Sequence, residues 1–305
     1  VHVGDYLYVG GNDGMLHVFD ATDSATGGQE VLAYIPSFVY PNLEELANPD
    51  YTHRYYVDQT PFIGYDDAAA SNDVLLISGL GKGGKGYFCL DLNVSHQVET
   101  LPSALDDPGT FTGADVRWEY PNATCSTDDW DNMGYTFSEA TIVATDDSHD
   151  HVAIFGNGYD SINGRAVLYA VDLATGETLT SIDTGYGNSS TLCNGLSTPT
   201  FVDTDSDGKV NYAYAGDLQG NLWKFDLTGN VGSWHVAYDE SGTPAPLFQA
   251  RDNAGNPQPI TIRPAVQYHC EDDYAGFIVI FGTGKFNAAG DFTSTSIQSV
   301  YGIWD

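Results

Sequence analysis

Short apolar runs, each broken by a glycine-containing turn, recur along the whole 305-residue chain. Five segments read as β-hairpins: YLYVGGNDGMLHVFD (6–20), VLLISGLGKGGKGYFCLD (74–91), VAIFGNGYDSINGRAVLYAVD (152–172), YAYAGDLQGNLWKFD (212–226) and FIVIFGTGKF…SVYGIWD (277–305). In each, two runs of β-branched, aromatic and small residues flank a Gly-bearing reversal, and the second run closes on Asp. The last four are preceded by a further strand-like run: TPFIGY (60–65), SEATIVA (138–144), STPTFVD (197–203) and IRPAVQY (262–268). Several are followed by a fourth, as in VLAYIP (31–36), VRWEYP (116–121) and ETLTSID (177–183). Four antiparallel strands, repeated with Gly and aromatic punctuation, predict an all-β chain built as a modified β-propeller. About five blades are recognisable in one domain over 1–305, with long inter-strand loops. The first unit lacks an opening strand and the fifth a closing one. Those deficits either complement each other in a closed ring or mark where further blades lie outside this stretch. A pair of β-sandwiches is the competing architecture, but sandwiches do not usually repeat one hairpin signature five times. Helical periodicity is nearly absent. Only PNLEEL (41–46) reads as a short helix, with Pro and acidic residues in its first turn.

Composition adds little to that fold but narrows the partners. Apolar residues make up 42% and aromatics 13%, enough for a packed core. Asp and Glu number 42 against 10 Lys and Arg, a formal net charge of −32. Such a surface repels nucleic acid and anionic membranes, so neither is an expected partner. It suits a protein bathed in salt or divalent cations. Most of the acids, including Asp146-Asp147 and Asp272-Asp273, read as solvated loop carboxylates without individual roles. No apolar run is long enough to span a bilayer. Because the chain opens in mid-pattern at Val1, removal of a leader or a larger N-terminal region is expected. Cys89, Cys125, Cys193 and Cys270 show no CxxC spacing, which argues against zinc or an iron–sulfur cluster. In an exported protein one or two disulfides are expected, Cys125–Cys193 being the first pair to test. Cys89, in an apolar strand, reads as core.

The strongest chemical motif lies between two strand-like runs in FVDTDSDGKVNYAYAGDLQGNLWKFD (201–226). Asp203, Asp205, Asp207, Gly208, Lys209 and Asn211 give the spacing DxDxDGxxN. Oxygens at the first, third, fifth and ninth positions of such a loop converge on one hard cation, the seventh residue adding its backbone carbonyl. Gly at the sixth allows the sharp turn. Three carboxylates this close repel one another unless a positive charge lies between them, and Ca2+ supplies it. An EF-hand would place a bidentate Glu at the twelfth position, but Tyr214 stands there and the flanks are strands. Water or a more distant carboxylate such as Asp217 therefore completes the shell, and affinity falls in the weaker range of about 10⁻⁵ to 10⁻³ M. The alternative is an Asp-rich turn without metal.

Taken together, YVGGNDGMLHVFDA, YIPSFVYPNLEELANPDYTHRYYVDQTP, GLGKGGKGYFCLD, YAGDLQGNLWKFDL and SVYGIWD resemble the C-terminal domain of the PilY-type (PilC-type) proteins. These are type IV pilus assembly factors and tip-associated adhesins, and the likeness covers effectively the whole chain. The resemblance implies a modified β-propeller, the C-terminal part of a longer protein, with one calcium loop. It implies that calcium governs the balance between pilus extension and retraction. The implied ligands are Asp203, Asp205, Asp207, Lys209 through its carbonyl, and Asn211. The family usually has Asp at the ninth position; Asn211 removes one negative charge. Minor pilins of the tip complex, and a host or environmental surface, are the implied partners. The implied location is secreted, at the cell surface, pilus tip or outer membrane, without membrane insertion. No RGD motif, seen in some relatives, occurs here.

The remaining groups invite blander readings. The block DYTHRYYVD (50–58) is either a docking surface for minor pilins or a packed loop in which Arg54 pairs with Asp50 or Asp58. His149, His151 and His269 lack a third ligand and read as solvated loop residues. No GxSxG elbow supports hydrolysis. Gly81-Lys82-Gly83-Gly84-Lys85 has the composition of a phosphate loop but joins two strands. The rival enzyme class is a quinoprotein (PQQ) dehydrogenase, also a calcium-using propeller. It needs an open metal position in the central funnel, whereas the predicted site is one local loop. A calcium-independent propeller scaffold is the third reading; the first expectation is a non-enzyme.

Overall fold

Each expected hairpin forms in a separate antiparallel sheet in a computed structural model that describes residues 1–66, 73–92, 111–269 and 275–305. The first sheet is β1 (His2–Val3), β2 (Tyr6–Gly10), β3 (Leu16–Asp20) and β4 (Glu30–Tyr34). The second is β5 (Phe62–Asp66), β6 (Asp73–Gly79), β7 (Tyr87–Asp91) and β8 (Val116–Tyr120). The third is β9 (Thr141–Ala144), β10 (His151–Gly156), β11 (Arg165–Asp172) and β12 (Thr178–Gly187). The fourth holds β13 (Thr200–Val202), β14 (Tyr212–Gly216), β15 (Asn221–Asp226) and β16 (His235–Val236). A small hairpin follows it, β17 (Asp239–Glu240) and β18 (Thr243–Pro244), and β19 (Phe248–Gln249) then returns to pair with β15. The fifth has β20 (Ala265–Tyr268), β21 (Phe277–Gly282) and β22 (Val300–Trp304).

The sheets stack face to face in chain order, which explains why the central strands read as continuous rather than alternating apolar runs. Along β10, Ala153 and Phe155 point into a cluster with Leu75, Ile77 and Tyr87 of the second sheet. Val152 and Ile154 point the other way, onto Ala213, Ala215 and Trp223 of the fourth. Leu76 and Phe88 meet Tyr8, Leu16 and Val18 of the first sheet, and Tyr214 and Leu222 meet Val279 and Phe281 of the fifth. Aromatic rings fill the second-to-third interface, where Tyr87 stacks on Phe155 at 4.1 Å between centroids. Among the described residues, no strand pairing and no hydrophobic cluster joins the first sheet to the fifth, so the fan is not closed. The outer faces of these two sheets leave Leu7, Val9, Ile280, Val300 and Trp304 exposed. No helix among the described residues is long and apolar enough to cross a membrane.

The repeated closing aspartate has a physical cause. At the end of β3, Asp20 Oδ1 accepts from Thr22 N at 2.8 Å and from the Thr22 hydroxyl at 2.6 Å. Asp172 does the same with Thr175, and Asp226 with Thr228. A side-chain-capped turn thus reverses the chain out of the third strand in three of five sheets. In the other two the aspartate binds a cation: Asp91 takes Arg117, and Asp305 takes Lys224 at 2.7 Å.

Several expectations need correcting. The first sheet does have an opening strand, β1, closed onto β2 by Gly4 in a left-handed turn. The fifth lacks a fourth strand, as expected. The expected helix at 41–46 lies inside a longer 3-10 segment, Ser37–Ala47. A helix that periodicity did not show, α1 (Thr127–Asn132), is set by a capping box between Ser126 and Asp129. The Cys125–Cys193 bridge is not formed; Cys89, Cys125 and Cys193 are free. The Cys125 sulfur accepts from Asn122 N in its own turn, while Cys193 faces Asp160 and Lys85. Cys89 is buried core, its thiol pushed up by burial. Cys270 and Asp272-Asp273 lie outside the described residues.

Candidate metal centre

The acidic loop is the nine-residue connection between β13 and β14. Antiparallel pairing of Val202 with Tyr212 fixes its two ends, and Asn211 N donates to Val202 O at 2.8 Å across the neck. Within it Ser206 and Gly208 adopt left-handed backbone, φ 62° and 90°. That curvature turns alternate side chains inward, and Gly208 accepts its φ without the steric cost a Cβ would carry. Carboxylate oxygens of Asp203, Asp205 and Asp207 come within 4.8 Å of one another.

The loop's own amides hold part of this arrangement. Asp203 accepts from Ser206 N at 2.7 Å and from Gly208 N at 2.8 Å, and Asp207 accepts from Lys209 N at 2.8 Å. The Gly208 amide chiefly lowers the Asp203 carboxyl below its ordinary value. Desolvation, then the Asp207 charge and a hydrogen bond to Asp203, push the Asp205 carboxyl up. The opposed shifts mark Asp205 as the member of the cluster whose negative charge its neighbours disfavour most. The oxygen donor set, its spacing and its surplus negative charge fit a hard divalent cation such as calcium.

Not every expected ligand joins the cluster. The Asn211 side-chain oxygen is buried beneath Thr204, accepting from its amide at 2.5 Å and its hydroxyl at 2.6 Å. At Lys209 the expected ligand is the backbone carbonyl, and the side chain leaves the loop to pair with Asp146 at 2.8 Å. Asp217 cannot complete the shell, because it sits in the turn at the far end of β14. Five strand residues at about 3.3 Å each put it on the order of 16 Å away. There it is fully buried and accepts from Asn194, Gln219 N, Asn221 N, Asn221 Nδ2 and Trp223 Nε1 at 2.8–2.9 Å. It is a structural hub.

Asp146 and Asp147, expected to be merely solvated, tie the acidic loop to its neighbours. Val210 N donates to Ala144 O at 3.0 Å at the end of β9, beside the Lys209–Asp146 pair. Asp147 then accepts from Val231 N at 3.0 Å and pairs with His149. Only long-range placement reveals these roles, since adjacent aspartates before a Ser look like any turn. His151 is likewise no loop residue: it opens β10, half-buried beside Asp66. Burial alone would raise the Asp147 carboxyl, but the bonds from His149 and Val231 bring it from 3.8 down to about 2. A carboxyl lowered on folding contributes stability above its unfolded value and loses it as pH falls. The titration-dependent part of the stability difference between the wild type and Asp147→Asn should therefore be full above about pH 4 and fall away as pH drops through about 2, read from thermal melts.

The fold and this loop define a class: a fanned β-propeller carrying an acidic strand-to-strand connection. The PilY1 beta-propeller domain family matches residues 3–305, and the chain belongs to that family. It is 39% identical over 312 residues to a type IV pilus biogenesis factor PilY1 homolog of Xylella fastidiosa, covering 99% of this chain and 19% of that protein. It is 36% identical over 321 residues to the type IV pilus biogenesis factor PilY1 of Pseudomonas aeruginosa strain UCBPP-PA14, covering 98% and 25%. The crystal structure of the Pseudomonas aeruginosa PilY1 C-terminal domain superposes with a TM-score of 0.76 at 35% identity, covering 98% of this chain and 57% of that one. The chain thus spans a fifth to a quarter of the length of these curated relatives.

Proposed function

We propose that this chain is a calcium-binding, non-enzymatic propeller domain acting in type IV pilus assembly and at the pilus tip, outside the cell. Calcium would set the balance between pilus extension and retraction, and adhesion, by changing how the domain meets minor pilins or an external surface. The observation that carries the reading is the convergence of Asp203, Asp205 and Asp207 in a chain of the PilY1 family. The relatives' name, pilus biogenesis factor, supports the setting.

Asp203, Asp205 and Asp207 would hold the ion, with the Lys209 carbonyl; Asn211 would have to give up Thr204 to take part. When bound, calcium supplies the positive charge that the cluster lacks. With that charge in place the repulsion among the three carboxylates would be relieved while Asp203 and Asp207 keep their amide bonds, which would fix the 203–211 backbone. Because Lys209 and Val210 are bonded to the 144–146 segment, a fixed loop also fixes that connection of the third sheet. Two adjoining surfaces change order together. A quinoprotein dehydrogenase is disfavoured because these carboxylates belong to one local loop that donates to itself; no open funnel position is built from them.

The test is made in piliated cells carrying the full-length protein. Asp205→Ala should leave surface protein levels unchanged and abolish the dependence of pilus number and twitching on external calcium. A variant whose calcium response equals that of the wild type would refute the assignment.

A further inference from the structure

Carboxylates outnumber cationic side chains 42 to 10, so every Lys and Arg has acids to choose from. Six do pair with a carboxylate: Arg117, Arg165, Lys209, Lys224, Arg263 and Lys285. Among the described residues the other four have no carboxylate within 4.0 Å: Arg251 bonds to the Gly255 carbonyl and the Gln249 side chain, whereas Arg54, Lys82 and Lys85 line one cleft of about 940 Å³. The expected pairing of Arg54 with Asp50 or Asp58 is not formed. The cleft lies where loops of the first, second, third and fifth sheets converge.

The cations are presented by a stiff platform. The Lys82–Lys85 turn joins β6 to β7 and lies flat on the chain at Tyr56, where a Cβ on Gly83 would come within 1.7 Å of the Tyr56 carbonyl oxygen. Lys82 Nζ stands 4.8 Å from the centre of the Tyr55 ring, and Lys85 Nζ 5.2 Å from that of Tyr135. Lys85 also donates to the backbone carbonyl of Asp160. Asp131 and Asp160 also line the cleft, neither within 4.0 Å of these cations, and Asp58, which accepts from the Lys82 backbone amide, lies near Lys82. Between them the wall is apolar: Trp130 is 45% exposed and Ile162 63% exposed, beside the stacked Phe137 and Tyr159 rings. Exposed aromatic and aliphatic surface beside unpaired cations is the composition of a recognition patch.

We propose that this cleft is a docking site for an acidic polypeptide segment that carries large apolar side chains between its carboxylates. Carboxylates would take Arg54, Lys82 and Lys85, and the apolar side chains would cover Trp130 and Ile162. An acidic glycan is disfavoured because its hydroxyls would be set against Ile162 and the aromatic wall. The proposal does not rest on the calcium reading.

The test is fluorescence anisotropy with a labelled peptide of about 12 residues alternating Glu or Asp with Leu or Phe, its Lys counterpart, and polygalacturonate as competitor. Against this strongly acidic protein, non-specific attraction works against the first probe and for the second. The acidic peptide should bind saturably, and Lys82→Glu/Lys85→Glu should weaken it by about tenfold or more with the circular dichroism spectrum unchanged. Trp130→Ala should weaken it too. No saturation at about 1 mM protein, or equal binding by the double variant, would overturn the proposal. So would tighter binding of polygalacturonate lost in the same variant, which would reassign the cleft to a glycan.

Discussion

Replacing Asp217 by Ala should cost about 3–5 kcal/mol of unfolding free energy, read as a fall in the urea midpoint at unchanged slope. The carboxylate is wholly buried and accepts five hydrogen bonds, so its removal leaves five donors facing a small void. Burial pushes this carboxyl above its ordinary value while the donors favour its charged form. Asp217→Asn should fare little better, because its new NH₂ meets Asn194, Asn221 or Trp223 donors, or the two amides, whichever way it is turned. A loss below about 1 kcal/mol in both variants would show that the shell closes without the charge.

Phe155→Ala should be comparably severe, at about 3–5 kcal/mol. Phe155 is fully buried between the second and third sheets, stacked on Tyr87 and meeting Tyr120 and Tyr169 at 5.6 and 5.9 Å between centroids. The variant opens a cavity at an interface whose other rings are held from several strands and cannot collapse together. Phe155→Leu keeps most of the volume and should lose only about 1–2 kcal/mol. Chemical denaturation of the two variants side by side checks the ordering, and equal losses would mean that ring contact, not volume, holds the sheets.

Much of this architecture was legible because its local signals agree. Gly between two strand-like runs gives the reversal, so all five hairpins read correctly, and in three of them Asp followed two or three residues later by Thr caps the next turn. The edges were less legible. Two residues, His2–Val3, carry no periodicity, and α1 is signalled only by the Ser126–Asp129 capping box. The acidic loop was legible as spacing, since its geometry is local. What joins it to the fold was not: Lys209 finds Asp146 from 63 positions away. Proximity in sequence also misled, for Asp217 lies six residues after Asn211 yet at the opposite end of a strand. Arg54 shows the same limit, because an Arg flanked by acids need not turn towards them.

Sharing of one cation by Asp203, Asp205 and Asp207 is tested most directly by isothermal titration calorimetry with calcium. The wild type should bind one ion per chain with a dissociation constant between about 10⁻⁵ and 10⁻³ M, and Asp205→Ala, equally folded, should give no binding heat. Equal heats from both proteins, or none from the wild type at about 10 mM calcium, would contradict it.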